Sequence, residues 1–100
     1  MPNDRFEVLG EETMRIVAKP ISAIVIYEYD GTPRPYKFKY KNSKNEDIRI
    51  VVDEIVFQEP RRIAGIESIV YRCKSYVDKA AFMYELKFIP RQCKWVLYRM

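Results

Sequence analysis

The stretch whose residue types could do chemistry most directly is YKFKYK, at positions 36–41. Its three lysines alternate with three aromatic side chains, and lysines in a row can contact the phosphates of a nucleic acid. Successive side chains of a strand point to opposite faces, so the lysines would share one face and the aromatics the other. This pattern favours a core strand with a solvated lysine row. The functional hypothesis that survives is a basic surface that contacts phosphates without reading sequence, formed by Arg34, Lys37, Lys39, Lys41, Lys44, Arg49, Arg61 and Arg62.

Residues for enzymatic chemistry are scarce. The chain has no histidine, which removes the commonest general base near neutral pH and the usual Ser–His and Cys–His nucleophile arrangements. Two cysteines without a histidine cannot form an ordinary four-ligand zinc site, and there is no glycine-rich phosphate loop. We therefore predict a protein without enzymatic activity, metal or cofactor. An enzyme that works through Asp53, Glu54 and a nearby tyrosine is the minor alternative.

Charge is distributed unevenly along the chain. Residues 1–12 carry four acidic side chains and one basic side chain, whereas the remainder carries seventeen basic and ten acidic ones. We expect an acidic, flexible N-terminal segment at residues 1–12, followed by a single β-barrel domain at residues 13–100. The acidic segment could compete with a ligand for the basic surface of that domain.

The sequence also bears on the location of the protein. No apolar run approaches the ~18 residues of a membrane span, and MPNDRFEVLGEET lacks both the basic region and the apolar core of a signal peptide. We therefore predict a cytoplasmic protein that does not associate with membranes. In that compartment Cys73 and Cys93 are expected to be reduced thiols in the core, although a bridge between them stays open.

Alternation of apolar and polar side chains recurs along the chain and predicts an all-β fold. A sheet of this length with no covering helix must curl, so we expect a closed or half-open barrel of SH3-like or oligonucleotide-binding size. Short turns between the alternating segments indicate a six- to seven-stranded antiparallel meander, with strands near 13–19, 22–29, 36–41, 48–57, 66–76, 80–89 and 93–100.

Three segments carry more specific predictions. SAIVIYEY, at 22–29, is nearly continuously apolar and is predicted to be a central strand covered on both faces. EPRRIAG, at 59–65, contains a proline and a glycine and is predicted to be a loop that brings its two arginines near the lysine strand. Residues 76–86 also fit helical spacing, but the alternation that continues beyond them favours a strand.

Four motifs carry a resemblance to known proteins: DGTPRPYKFKY, VDEIVF, IVYRCK and the terminal KWVLY. In this order they resemble a group of small uncharacterised Gram-positive bacterial β-rich proteins, over about the last three-quarters of the chain. The chain departs from that group at 59–65, where the relatives are glycine-rich and this sequence has two arginines. The resemblance implies a β-rich fold and implies no activity.

A second function remains open from the sequence. A strand at the edge of a sheet can pair with a strand of another chain, so the protein could be a protein–protein adaptor or a homodimer. The edge near residues 13–19 and the outer face that carries Met83 are the surfaces expected to pair. Ionic strength separates the two hypotheses, because phosphate binding weakens steeply with salt and an apolar interface does not.

Overall fold

The computed structural model of the protein describes residues 14–100. Eight strands and one turn of 3-10 helix (Pro90–Gln92) account for most of this part of the chain. The strands are β1 (Ile16–Pro20), β2 (Ser22–Tyr27), β3 (Pro33–Lys41), β4 (Asp47–Val51), β5 (Glu54–Ile63), β6 (Ile66–Val77), β7 (Ala80–Ile89) and β8 (Lys94–Arg99).

The strands form two antiparallel sheets. A five-stranded sheet has the order β1-β8-β7-β6-β5, and a three-stranded sheet has the order β2-β3-β4. The predicted all-β, antiparallel class is confirmed. The strands do not close into one barrel, so that part of the prediction goes beyond the structure. The prediction made for residues 1–12 lies outside the described residues.

The chain crosses from one sheet to the other at two corners. At the first, the backbone N–H of Ile21 donates to the carbonyl of Trp95. At the second, the N–H of Val52 donates to the backbone carbonyl of Tyr36 in the three-stranded sheet. The N–H of the next residue, Asp53, donates to the backbone carbonyl of Lys74 in the five-stranded sheet. The predicted strand at 48–57 therefore divides into β4 and β5, which raises the number of strands to eight. The expected corner near Asp53 is present.

The hydrophobic core lies between the two sheets. The ring of Phe38 in β3 packs against the ring of Tyr84 in β7, with centroids 5.5 Å apart and the ring planes inclined at 55°. Two buried hydroxyls also connect the sheets, because Tyr71 donates to the carbonyl of Pro33 and Ser75 donates to that of Val51, each at 2.5 Å. The buried core residues are Phe38, Ile50, Tyr71, Cys73, Tyr84, Leu86, Phe88 and Leu97.

Two predictions about particular segments are wrong. The apolar segment at 22–29 is not a central strand, because β2 is an edge strand and Ile24 and Ile26 are 54% and 39% exposed. The segment at 59–65 is not a loop, because β5 extends to Ile63 and only the two residues after it make the turn. Pro60 is tolerated there because β5 lies at the edge of its sheet, where a missing N–H is easily accommodated.

The preference for strand structure over a helix in residues 76–86 is confirmed. Strands β6 and β7 form a hairpin whose two-residue turn is Asp78-Lys79. Both turn residues have positive φ, 51° and 67°, as the tightest hairpin turns require. The helical spacing of this segment is therefore overridden by cross-strand pairing.

Candidate nucleic-acid interface

The outer face of the three-stranded sheet brings together four of the predicted basic residues. Pairing between β3 and β4 sets Lys37 opposite Val51, Lys39 opposite Arg49 and Lys41 opposite Asp47. Phe38, between two of the lysines, points to the core and is 5% exposed. Alternation therefore sends the basic side chains to water. We call this surface the lysine face; it consists of Ile24, Lys37, Lys39, Lys41, Asp47, Arg49 and Val51.

An open groove of about 330 Å³ crosses the lysine face. Ile24 contributes an apolar wall from β2, while Lys37, Lys39 and Arg49 contribute cations. Exposed apolar side chains between cations suit a ligand that has both a charged backbone and flat apolar groups. The groove is therefore the part of this surface where a ligand would find both kinds of contact.

One carboxylate lies among the four cations of the lysine face. Nζ of Lys41 is 3.0 Å from Oδ1 of Asp47, and Nζ of Lys39 is 3.9 Å from Oδ2. The hydrogen bond from Lys41 is the main reason that the pKa of Asp47 is lowered. Ion pairs at exposed positions are weak, so a phosphate can compete with Asp47 for these lysines.

Tyr36 departs from the predicted alternation. Ile24 pairs with Lys37 and Val25 pairs with Pro35, which leaves Tyr36 as the extra residue of a β-bulge. Its side chain is 43% exposed, and its ring centroid lies 5.7 Å from Nζ of Lys37. The prediction that all three aromatics of this strand fill the core is therefore wrong at Tyr36. An exposed aromatic ring stands beside the lysines.

Two further predicted residues lie at the ends of this sheet. Nε of Arg34 is 2.7 Å from Oε2 of Glu28, so its charge is already balanced locally. Lys44 is exposed in the turn between β3 and β4, where its backbone N–H donates to the side-chain oxygen of Asn42. The exposed side chain of Lys44 can therefore extend the lysine face beyond Lys41, whereas the side chain of Arg34 is paired with Glu28.

Arg61 and Arg62 lie elsewhere. Both belong to β5 of the five-stranded sheet, and neither lines the groove of the lysine face. Nη2 of Arg61 is 2.6 Å from Oε1 of Glu59, and Arg62 forms an ion pair with Glu67. The assumption that these arginines approach the lysine strand fails because the segment that carries them is a strand of the other sheet.

Sequence reasoning missed the chemistry around Glu85. Its carboxylate is 1% exposed and accepts hydrogen bonds from Nη2 and Nε of Arg72, at 2.7 and 3.1 Å. Glu85 lies on the outer face of the five-stranded sheet, yet it is buried instead of solvated. Only the register of β6 against β7, which sets Arg72 opposite Glu85, could have revealed the pair.

The residues of the minor enzymatic alternative have structural contacts. Oδ2 of Asp53 accepts the backbone N–H of Tyr76 at 2.9 Å, which ties the second corner to β6. Glu54 lies 3.8 Å from Nζ of Lys74. The absence of enzymatic activity stays a prediction.

The two cysteines are free and differ in their surroundings. Cys73 is fully buried, and burial raises the pKa of its thiol to about 12, which disfavours the reactive thiolate. Cys93 is exposed and follows the 3-10 helix in the left-handed conformation, with φ of 50°. The prediction of a core thiol is right for Cys73 and wrong for Cys93.

Residues 14–100 contain no group of three acidic or cysteine side chains that could hold a metal ion. No helix within the same range has the length and apolar character needed to cross a bilayer. Comparisons of the chain with protein-family models, with curated proteins and with solved structures find no match. The resemblance to the Gram-positive group therefore stays a prediction.

Proposed function

We propose that the protein binds single-stranded nucleic acid on the lysine face, mainly through phosphates and without base specificity. The observation that carries the proposal is the combination of four cations with one carboxylate on an open sheet face, next to the exposed ring of Tyr36. Proteins that bind single strands without sequence preference combine a basic surface with aromatic rings on which bases stack. A cytoplasmic location, as the sequence predicts, is compatible with this role.

The geometry of β3 suits an extended backbone. Alternate residues of a strand lie about 6.8 Å apart, so Lys37, Lys39 and Lys41 form an evenly spaced row of charges. Arg49 on β4 widens this row, because it lies opposite Lys39. A strand of nucleic acid that follows β3 would contact several of these cations and could stack one base on Tyr36.

Salt dependence follows from the number of contacts. Binding to single strands weakens with salt with a slope of about −0.7 per phosphate contact, so three or four contacts give a slope of about −2 to −3. Raising salt from 50 to 200 mM should therefore weaken binding by about 20- to 50-fold.

Fluorescence anisotropy of labelled single-stranded DNA, double-stranded DNA and RNA at two salt concentrations tests the proposal. The variant Lys37→Gln/Lys39→Gln/Lys41→Gln should lose most of its binding. The matched control Lys79→Gln/Arg91→Gln/Lys94→Gln removes the same charge from exposed positions outside the lysine face and should retain most of it. Equal losses in both variants, or no binding of the original protein at low salt, would contradict the proposal.

A second candidate function is homodimerisation or adaptor binding by strand pairing. Among the described strands, β5 pairs only with β6, so its other edge is open over ten residues. Val56 and Phe57 on this strand are 43% and 40% exposed. On β1, at the opposite edge, Ile16 is 65% exposed. Sedimentation equilibrium at low and high salt distinguishes this function, because a dimer made by strand pairing should persist at high salt.

A further inference from the structure

Strand β2 is the least protected edge of the two sheets. The edge strands of the described sheets are β1, β2, β4 and β5. Of these, β1, β4 and β5 contain charged side chains, and β1 and β5 also contain a proline. Both features discourage pairing with another chain. The sequence of β2, SAIVIY, contains neither. An uncharged apolar strand at an open edge is a template for pairing with a further strand.

The backbone of β2 directs half of its hydrogen-bonding groups to this open edge. Opposite residues of an antiparallel pair alternate between those that exchange two hydrogen bonds and those that exchange none. Val25 and Tyr27 lie opposite Pro35 and Pro33, which have no N–H, so these are the pairs without bonds. Alternation along β2 gives Ala23 the same direction. The N–H and carbonyl groups of Ala23, Val25 and Tyr27 therefore face away from β3, and no backbone partner for them lies within residues 14–100.

These groups suit pairing with a second copy of the same strand. An antiparallel register centred on Val25 sets Val25 opposite its own counterpart and Ala23 opposite Tyr27 of the second copy, so every edge group finds a partner. The same register sets Ile24 opposite Ile26, whose side chains are 54% and 39% exposed on the outer face. Contact between them removes apolar surface from water. One two-fold axis relates the copies, so the pair closes and leaves no β2 edge open.

The two ends of β2 carry opposite charges. Glu28 and Asp30 follow its C-terminal end and outnumber Arg34, which pairs with Glu28. Lys19 precedes its N-terminal end, and Lys39 lies opposite its first residue on β3. Antiparallel pairing brings the acidic end of each copy against the basic end of the other. Charge complementarity therefore favours a second copy in this orientation, and it acts at both ends of the interface.

A recess beside β2 suits the exposed tyrosine of the second copy. It has a volume of about 490 Å³, and its lining includes Ile21, Ala23 and Trp95. Tyr27 is 62% exposed, and the register centred on Val25 sets it opposite Ala23 of the other copy. Directly opposite residues of an antiparallel pair share a face of the sheet, so both side chains lie on the same side. The ring of Tyr27 would then stand at the mouth of the recess.

We infer that two copies of this chain pair through their β2 edges and join their three-stranded sheets into one sheet of six strands. The inference selects a different edge from those of β5 and β1 and does not rest on nucleic-acid binding. Both lysine faces lie on the same side of the joined sheet, with the two β3 strands about 14 Å apart. Six residues from each copy are few beside the roughly 20 to 30 of a standard interface, so the dimer is weak and reversible.

Sedimentation equilibrium over a range of concentrations of the full chain tests the inference. The original protein should show a reversible equilibrium between monomer and dimer. Ile24→Lys/Ile26→Lys sets lysine opposite lysine and should shift the equilibrium to monomer, while both exposed positions leave the unfolding transition in place. The matched control Val56→Lys/Ile63→Lys adds the same charge to exposed positions of β5 and should leave the dimer intact. A monomer at every concentration, or a dimer that the β2 variant dissociates no more than the β5 variant does, would overturn the inference.

A cross-link tests the register without the lysine variants. Val25→Cys/Cys93→Ser places one thiol at the two-fold axis, where the Cα atoms of a bonded antiparallel pair are about 5.5 Å apart, within the range of a disulfide. Mild oxidation should give a covalent dimer on a non-reducing gel, and Cys73 is buried and does not interfere. The control Val51→Cys/Cys93→Ser has its thiol at an exposed position of β4 and should cross-link less. Equal or greater cross-linking in the control would overturn pairing centred on Val25.

Discussion

The two outer faces of the molecule carry similar cations in opposite circumstances. On the lysine face, the side chains of Lys39 and Lys41 are 44% and 59% exposed and share one exposed carboxylate. On the outer face of the five-stranded sheet, Arg72 is 13% exposed and is held by Glu85, which is 1% exposed. Exposed cations with weak partners can exchange them for a ligand, whereas a cation paired in a buried site stabilises the fold. The number of basic residues alone does not distinguish the two.

The largest expected effect is the loss of Glu85. The substitution Glu85→Ala removes the carboxylate that pairs with the part-buried Arg72, and breaking a buried pair in this way costs about 3 to 5 kcal/mol. Urea denaturation should therefore show a much lower free energy of unfolding. The matched control Glu54→Ala removes an exposed carboxylate near Lys74 and should cost less than about 1 kcal/mol. A similar loss of unfolding free energy in both variants would show that the buried and the exposed carboxylate stabilise the fold equally.

The lysine triple variant addresses the other face. Lys37→Gln/Lys39→Gln/Lys41→Gln leaves Arg49 as the main cation there, so the slope of binding against salt should fall from about −2 or −3 to about −1. The free energy of unfolding should change little, because exposed charges contribute little to stability. Anisotropy at a series of salt concentrations gives the slope, and an unchanged slope would show that the phosphates bind elsewhere.

A substitution at Tyr36 separates the contribution of base stacking from the contribution of the lysine charges. Stacking of a base on an aromatic ring contributes about 1 to 3 kcal/mol, so Tyr36→Ala should weaken single-strand binding at least about fivefold without changing the salt slope. Tyr29→Ala is the control, because Tyr29 is fully exposed in the turn after β2. Duplex binding should be less sensitive to Tyr36→Ala, since paired bases are not available to stack. Equal effects of the two substitutions would contradict a role for Tyr36.

The smallest expected effect concerns Asp47. Because the hydrogen bond from Lys41 lowers the pKa of Asp47 below 3.8, its contribution to stability is present above that value and is lost as pH falls through the lowered pKa. Asp47→Asn should therefore slightly reduce stability near neutral pH and weaken its dependence on acid. The same substitution frees Lys41, so nucleic-acid binding should tighten modestly. Weaker binding would show that Asp47 positions the lysines.

Local pattern predicted some features of this fold reliably. The all-β class and the strand at 80–89 followed from alternation, and the separation of Phe38 from the flanking lysines followed from the two-residue period. The predictions failed where the structure depends on which strands pair with each other. The apolar run at 22–29 gives no sign that β2 is an edge strand. Pro35 lacks an N–H and marks an irregularity in β3, but it does not show that the bulge turns the ring of Tyr36 toward Lys37.

The sequence by itself determined which side chains share a face wherever a strand is regular, because alternation is a property of the extended backbone. It therefore placed Lys37, Lys39 and Lys41 together. Only the tertiary structure decided that Arg61 belongs to a different sheet and that Arg72 meets Glu85. Both depend on strand partners and register, which are set by the packing of residues far apart in the chain. For that reason Lys39 and Lys41 lie on an exposed surface, whereas Arg72 is part-buried beside Glu85.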